Sequence, residues 1–138
     1  MVQNWRMSAA ISPGLHAAFG YTVTDADTAA ALESGLVPVL STPRVLALME
    51  RATVEALEGA VEPGTTTVGA KVELEHLLAT PVGAPVEVSA TLERLDGRRL
   101  EFAAELTDAG RVAARGRVTR VLVDLERFLA GVAARRPS

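Results

Sequence analysis

The chain has 138 residues, of which 49% are hydrophobic and 22% charged, and its formal net charge is −3 at pH 7. This composition is typical of one globular domain; it excludes a disordered chain and provides no basic field for nucleic acid. The sequence contains no cysteine, which excludes disulfides, thiol nucleophiles and thiolate metal sites. No apolar run approaches the roughly 18 residues of a membrane span, and no signal-peptide segment begins the chain. We therefore expect a cytoplasmic protein without a membrane partner.

Residues 1–14 show no hydrophobic period and end at Pro13-Gly14, so we expect an N-terminal arm there. Within this arm, Trp5 either anchors the arm on the body or a partner subunit, or belongs to a loosely ordered tail. We expect the remaining residues, 15–138, to form a single domain.

One strand and an irregular connection are predicted between the arm and the longest helix. Apolar residues of one parity indicate a strand over residues 16–24. Asp25 or Asp27 then caps a short helical stretch, which residues 34–38 break. A connection directly before a candidate site is either a plain loop or a lid.

The longest predicted helix runs from Thr42 to about Glu58, with Gly59 as its stop. Thr42 is a good N-cap, and Pro43 suits the first helical position, where no N–H is needed. At about 100° per residue, the charged side chains form one solvent-facing stripe: Arg44, Arg51, Glu55 and Glu58. Glu50 falls about 100° away from that stripe, so its carboxylate is either partly buried or functional.

Four antiparallel strands and a short helix are predicted after the long helix. The strands cover residues 65–78, 86–95, 100–106 and 111–123, and Asp124 caps the final helix near residues 125–132. Asp96-Gly97 is the strongest hairpin signal in the chain. This order predicts an α+β fold in which a curved antiparallel β-sheet wraps around one long central α-helix.

His76 lies on the apolar face of its predicted strand. It shares parity with Val72 and Leu74, whereas Glu73 and Glu75 share the opposite face. His76 and Glu50 are therefore both expected to point into the helix–sheet interface. They are either tolerated polar groups that pair or reach solvent, or members of a site.

Thr42, Glu50 and His76 are the candidate catalytic residues. Thr42 is either a cap alone or part of a helix N-terminus whose free amides suit an oxygen that gains negative charge. His76 titrates near neutrality and suits a general base for water or for the Thr42 hydroxyl. Glu50 suits a group that orients the imidazolium, or a nucleophile. Nothing has metal-ligand spacing, so no metal is expected.

Gly69 and Arg120 are weaker candidates for contact with a ligand. Gly69 interrupts its strand and either allows close approach of a ligand or forms a plain β-bulge. Arg120 shares the inward parity of Val118 and Leu122, so it pairs with a carboxylate or reaches a ligand. A register shift near Gly116 would instead turn it outward.

Several short motifs follow one another over residues 37–128, about two thirds of the chain. They are Thr42 to Glu50 (TPRVLALME), Glu62-Pro63-Gly64, Val68-Gly69, His76, Pro81-Val82-Gly83, Asp96 to Leu100 (DGRRL), Arg120 and Leu125 to Phe128 (LERF). Together they resemble the fluoroacetyl-CoA thioesterase family of hot-dog proteins. The resemblance implies a hot-dog fold, a homodimer with its site near the subunit interface, and hydrolysis of an acyl-CoA thioester. Coenzyme A would enter as part of the substrate, with no separate cofactor.

The resemblance also implies roles for individual residues. By position, three residues match the family's catalytic set: Thr42, Glu50 and His76. Gly69 matches a backbone contact near the thioester, and Arg120 matches a family arginine near the site. The segment before the helix lacks the phenylalanines that form a lid over the fluoroacetyl substrate in that family, and Leu36 and Val37 are its predicted substrate contacts. We therefore predict a related thioesterase whose acyl group, small or otherwise, is not specified.

Two other functions fit the same fold. A hot-dog enoyl-CoA hydratase or dehydratase would also use a histidine and a carboxylate. A non-catalytic module would bind acyl-CoA without turnover. In each case the expected partners are acyl-CoA and a second copy of the chain.

Overall fold

The computed structural model describes residues 10–137, so most of the predicted arm, including Trp5, lies outside the described residues. The elements are β1 (His16–Thr22), α1 (Thr42–Ala56), β2 (Thr65–His76), β3 (Pro85–Asp96), β4 (Arg99–Asp108), β5 (Arg111–Asp124) and α2 (Leu125–Ala134). The strands form one antiparallel sheet in the order β1-β3-β4-β5-β2. The predicted α+β architecture is therefore confirmed, with β1 and β2 at the two edges of the sheet.

The sheet wraps around α1, which contacts all five strands. The inner face of β3 and β4 contains the apolar residues that alternation predicts: Val86, Val88, Ala90, Leu92, Leu100, Phe102, Ala104 and Leu106, all buried. Val45, Met49 and Ala52 of α1 are fully buried against this face. Each buried large side chain contributes about 2 kcal/mol to folding, so this layer fixes the position of α1. No helix within residues 10–137 is long and apolar enough to cross a membrane.

The start of α1 differs from the prediction by one residue. Ser41, not Thr42, is the N-cap: its hydroxyl accepts a hydrogen bond from the Arg44 amide at 3.1 Å, and its backbone is extended. Ser41 and Thr42 are both good capping residues, so propensity alone could not separate them. Pro43 is consequently the second helical residue. Because Ser41 supplies the cap, the Thr42 hydroxyl is free for another partner.

Two other boundaries also differ. α1 ends at Ala56, with Leu57 as its C-cap, because the chain turns before the predicted stop at Gly59. The predicted helical stretch before α1 is reduced to a single 3₁₀ turn, Asp25–Asp27, and its N-cap is Thr24 rather than either aspartate.

Two predictions about the sheet are confirmed by its register. The β2–β5 pairing shifts between Gly69 and Lys71, as expected for a β-bulge at Gly69. On β5 the register irregularity lies opposite Leu106 and Thr107 of β4 and not near Gly116. Arg120 therefore stays on the inner face of the sheet, where only 7% of its surface is exposed.

Replacement of Ser41 tests the corrected start of α1. We expect Ser41→Ala to lower the free energy of unfolding by about 1 kcal/mol, since an amide of the first turn loses its acceptor, and Ser41→Gly to cost only a few tenths. Chemical denaturation of both variants measures this difference. A Ser41→Ala protein as stable as the wild type would contradict this position of the cap.

Candidate active site

The first feature of the site is a hydrogen bond between Thr42 and His76. The Thr42 Oγ1 atom, in the first turn of α1, lies 2.8 Å from Nδ1 of His76, the last residue of β2. When the hydroxyl donates to Nδ1, a neutral imidazole carries its proton on Nε2. That Nε2 atom is buried and has no hydrogen-bond partner among residues 10–137. The His76 ring therefore contacts a hydroxyl at Nδ1 and has an N–H donor without a partner at Nε2.

The electrostatics of His76 suit a base. Burial lowers the pKa of its imidazole from the ordinary value of 6.5, because a charged ring is poorly solvated in the helix–sheet interface. The ring is therefore neutral at pH 7 and able to take a proton. Thr42 is exposed, so a substrate can reach its hydroxyl.

The second feature is an ion pair between Glu50 and Arg120. The Glu50 Oε2 atom lies 3.5 Å from Arg120 Nη1, and the two side chains are 34% and 9% exposed. Burial lowers the pKa of Arg120, while the charge of Glu50 acts in the opposite direction. A guanidinium remains charged under these conditions, so Arg120 is a buried cation with a partly exposed counterion.

Two threonines complete the surroundings of Arg120. Its Nε donates to Thr67 Oγ1 at 2.9 Å and its Nη2 donates to the Thr67 carbonyl at 3.2 Å. Its Nη1 also lies 3.5 Å from Thr53 Oγ1, whose hydroxyl donates to the Glu50 carbonyl at 2.6 Å. Sequence analysis missed Thr53 and Thr67. The signal was their spacing, since Thr67 precedes Gly69 by two strand residues and Thr53 follows Glu50 by three helical residues.

Gly69 provides the space that the Glu50 carboxylate occupies. A Cβ atom at position 69 would overlap Glu50 Oε2 and would stand 3.6 Å from Arg120 Nη1. The missing side chain thus lets the carboxylate lie against the β-bulge. A contact between Gly69 and a ligand stays a prediction.

The structure separates the predicted site residues into two groups within one chain. Thr42 meets His76, whereas Glu50 meets Arg120 and Gly69. Thr42 and Glu50 are eight residues apart on α1, which corresponds to about 12 Å of helix rise. Among the described residues, no hydrogen bond or ion pair joins Glu50 to Thr42 or His76. The Thr42–His76 pair and the Glu50–Arg120 pair both lie at the helix–sheet interface, but at different positions along the axis of α1.

The predicted substrate contacts Leu36 and Val37 lie on the segment between the 3₁₀ turn and α1. Leu36 and Val37 are 96% and 54% exposed. The ends of the segment meet at a bridge between Thr28 and Leu40, so it forms a closed loop at the start of α1. The role of Leu36 and Val37 in substrate binding stays a prediction. Within residues 10–137, no cluster of three His, Asp or Glu side chains could hold a metal ion.

Substitution of Gly69 tests the second group. In Gly69→Ala, the new Cβ displaces the Glu50 carboxylate from Arg120, and we expect a loss of about 1 kcal/mol because a charged hydrogen bond is removed. Gly20→Ala is the control, since a Cβ there meets only the Val86 carbonyl, at 4.0 Å. Denaturation and a crystal structure of each variant measure both effects. An unmoved Glu50 in Gly69→Ala would refute this packing.

Comparison with known proteins identifies the family of the chain. The family model for fluoroacetyl-CoA-specific thioesterase matches residues 23–126. A fluoroacetyl-CoA thioesterase from Streptantibioticus cattleyicolor is 34% identical over 100 residues, which cover 72% of each chain. A solved structure of the fluoroacetyl-CoA thioesterase FlK is 28% identical, with a TM-score of 0.85, and the match covers 92% of this chain and 98% of that one.

A second solved structure supports the fold. A hot-dog-like protein from Thermanaerovibrio acidaminovorans is 23% identical, with a TM-score of 0.88, over 96% of this chain and 98% of that one. At this identity the likeness concerns the fold alone, and it confirms the predicted hot-dog architecture. By the family model and the relative at 34% identity, the chain belongs to the fluoroacetyl-CoA-specific thioesterase family.

Proposed function

We propose that the protein hydrolyses an acyl-CoA thioester to the free carboxylate and coenzyme A at the Thr42–His76 pair. The observation that carries the proposal is the 2.8 Å contact between Thr42 Oγ1 and His76 Nδ1 at the N-terminus of α1. Family membership supports it over a hydratase or dehydratase and over a non-catalytic binding module. Solved structures of the relative FlK include complexes with acetyl-CoA and with fluoroacetate and CoA.

His76 acts as the base in this proposal. Its neutral imidazole takes a proton from the nucleophile, which is the Thr42 hydroxyl or a water beside it, as the nucleophile attacks the thioester carbonyl. The carbonyl oxygen becomes negative near the positive end of the α1 dipole. The Thr42 amide can donate to it there, because Pro43 has no N–H and the Arg44 amide already donates to Ser41. As the carbon–sulfur bond breaks, the imidazolium returns the proton to the departing thiolate of coenzyme A. Attack by water gives the carboxylate directly. Attack by Thr42 leaves an acyl ester on its oxygen, and a water activated by His76 in the same way then hydrolyses this ester to the carboxylate and restores the hydroxyl.

We propose further that a homodimer assembles the complete site. Among residues 10–137, the β2 strand pairs only with β5 and lies at an edge of the sheet, so its outer backbone groups can pair with a second copy. The Gly69 bulge and His76 lie four and three residues on either side of Glu73. An antiparallel pairing of two β2 strands about Glu73 would therefore set the bulge of one copy beside His76 of the other.

This pairing gives Glu50 a role across the interface. The carboxylate of one copy, which lies against its own Gly69, would approach the His76 of the other copy. His76 Nε2 is buried without a partner in the single chain, and Glu50 is one-third exposed, so each has capacity for such a contact. A carboxylate there would orient the ring and stabilise the imidazolium.

Arg120 and the loop before α1 complete the proposed site. Arg120 holds the Glu50 carboxylate in place through the ion pair described above. The exposed tip of the loop, Leu36 and Val37, would close over the acyl group with aliphatic side chains. We also propose a cytoplasmic location, which suits an acyl-CoA substrate and a chain without cysteine.

Release of free thiol from a panel of acyl-CoAs tests the proposed reaction. We expect Thr42→Ala and His76→Ala to lower kcat/KM at least about 100-fold, because each removes a group needed for proton transfer. His16→Ala is the matched control, since His16 is the other histidine and its ring bonds to Thr91 on β3. No turnover with any acyl chain, or full activity in His76→Ala, would refute the assignment.

The pH dependence of the reaction tests the role of His76. Because burial lowers its pKa, the ring stays neutral, and therefore basic, at pH values where a free histidine is already partly protonated. We expect kcat/KM to be flat near neutrality and to fall at acidic pH as the ring takes a proton. In Glu50→Gln, where burial acts without the opposing charge of Glu50 from the other copy, we expect a midpoint below 6.5. Rate measurements between about pH 5 and 8 show this midpoint. A midpoint above 6.5 in Glu50→Gln would contradict a neutral buried base.

A further inference from the structure

A buried carboxylate outside the two groups of site residues lies beside the start of α1. Asp27 is 1% exposed, in the 3₁₀ turn that follows β1. Its two oxygens accept hydrogen bonds from Tyr21 Oη at 2.8 and 2.9 Å, from the Thr24 amide at 2.7 Å and from Thr24 Oγ1 at 2.9 Å. Arg44 adds an ion pair, with its Nε 3.0 Å from Asp27 Oδ1.

Asp27 contacts α1 on both sides of Thr42. Its carboxylate pairs with Arg44, two residues after Thr42, and its carbonyl accepts a hydrogen bond from the Ser41 amide at 3.0 Å. Ser41 in turn caps the helix through its hydroxyl. The first turn is thus tied to the 3₁₀ turn by a side-chain ion pair and by a backbone hydrogen bond.

We infer that Asp27 is a positioning residue that holds the first turn of α1 where the Thr42 hydroxyl meets His76. The inference rests on the proposed function, since it concerns the geometry of the proposed reacting pair. The Thr42–His76 contact is lost if its 2.8 Å separation grows by less than 1 Å. A carboxylate fixed by Tyr21 and Thr24 of a neighbouring segment is suited to prevent such a displacement.

The charge of Asp27 is part of this role. Burial raises the pKa of its carboxyl, but the hydrogen bonds from Thr24 and Tyr21, together with the charge of Arg44, lower it below the ordinary value. The group is therefore ionised at neutral pH. Its hydrogen bonds with Thr24 close the 3₁₀ turn, whereas the ion pair to Arg44 connects the turn to the helix.

Asp27→Asn tests the inference, because it keeps the size of the side chain and removes its charge. We expect kcat with the best acyl-CoA to fall about 10- to 100-fold, with KM changed less than about twofold, since a displacement of 1 Å at a reacting group has effects of this size. The His76 ring resonances and its pKa, measured by NMR, should change. Those of His16, on β1, should not, which provides an internal control in the same spectrum.

A second pair of variants keeps the test valid if Asp27→Asn does not fold. Arg44→Gln removes the ion pair by changing the partly exposed Arg44 and leaves Asp27 in place. As a control, Arg51→Gln removes an exposed pair with Glu55 on the same helix. We expect only Arg44→Gln to lower kcat and to shift the His76 resonances, and Arg44→Lys to recover part of kcat by restoring the charge.

The outcomes separate this inference from the proposed function. If the variants lose thermal stability while kcat and the His76 resonances stay at wild-type values, Asp27 is only a structural residue and the inference is overturned. If the wild type hydrolyses no acyl-CoA, the proposed function fails, while the NMR comparison still reports whether Asp27 positions the Thr42–His76 pair.

Discussion

The hydrogen bond between Thr42 and His76 depends on almost every other part of the structure. It joins the first turn of α1 to the last residue of β2, two points separated by 34 positions in the sequence. The buried face of α1 fixes the helix against the sheet, Ser41 caps it, and Asp27 ties its start to the preceding turn. Because Ser41 takes the capping role, the Thr42 hydroxyl is available for chemistry. A displacement at any of these contacts would move the Thr42 hydroxyl away from His76.

The buried cation at Arg120 explains the position of Glu50, which belongs to the second group of site residues. A guanidinium taken out of water needs acceptors and a counter-charge, and Thr67 and Glu50 supply them. Glu50 is therefore held about two helical turns away from Thr42, against the Gly69 bulge and near the open edge of the sheet. This separation is the reason for assigning its catalytic role to the adjacent copy in the proposed homodimer, where one edge strand would complete the sheet and the site together.

Local patterns in the sequence predicted most of the fold. Alternation located the buried faces of β3 and β4, and Asp96-Gly97 and Asp124 marked a hairpin and a helix start that the structure has. The inward face of Arg120 also followed from parity, and the bulge at Gly69 was one of the two interpretations of a glycine that interrupts its strand. The contacts among distant residues did not follow from such patterns. Asp27 was predicted only as one of two possible caps, because its burial depends on Tyr21 and Arg44. The contact of Thr67 with Arg120 forms only when β2 pairs with β5.

The central claim is that each complete site combines Thr42 and His76 of one copy with Glu50 of the other. Co-expression of Glu50→Gln and His76→Ala chains with different tags, followed by two affinity steps, isolates the mixed dimer. In that dimer one site has both defects and the other has none. The account predicts that both parent variants are nearly inactive, whereas the mixed dimer recovers about half of the wild-type kcat. A mixed dimer as inactive as its parents would contradict a shared site.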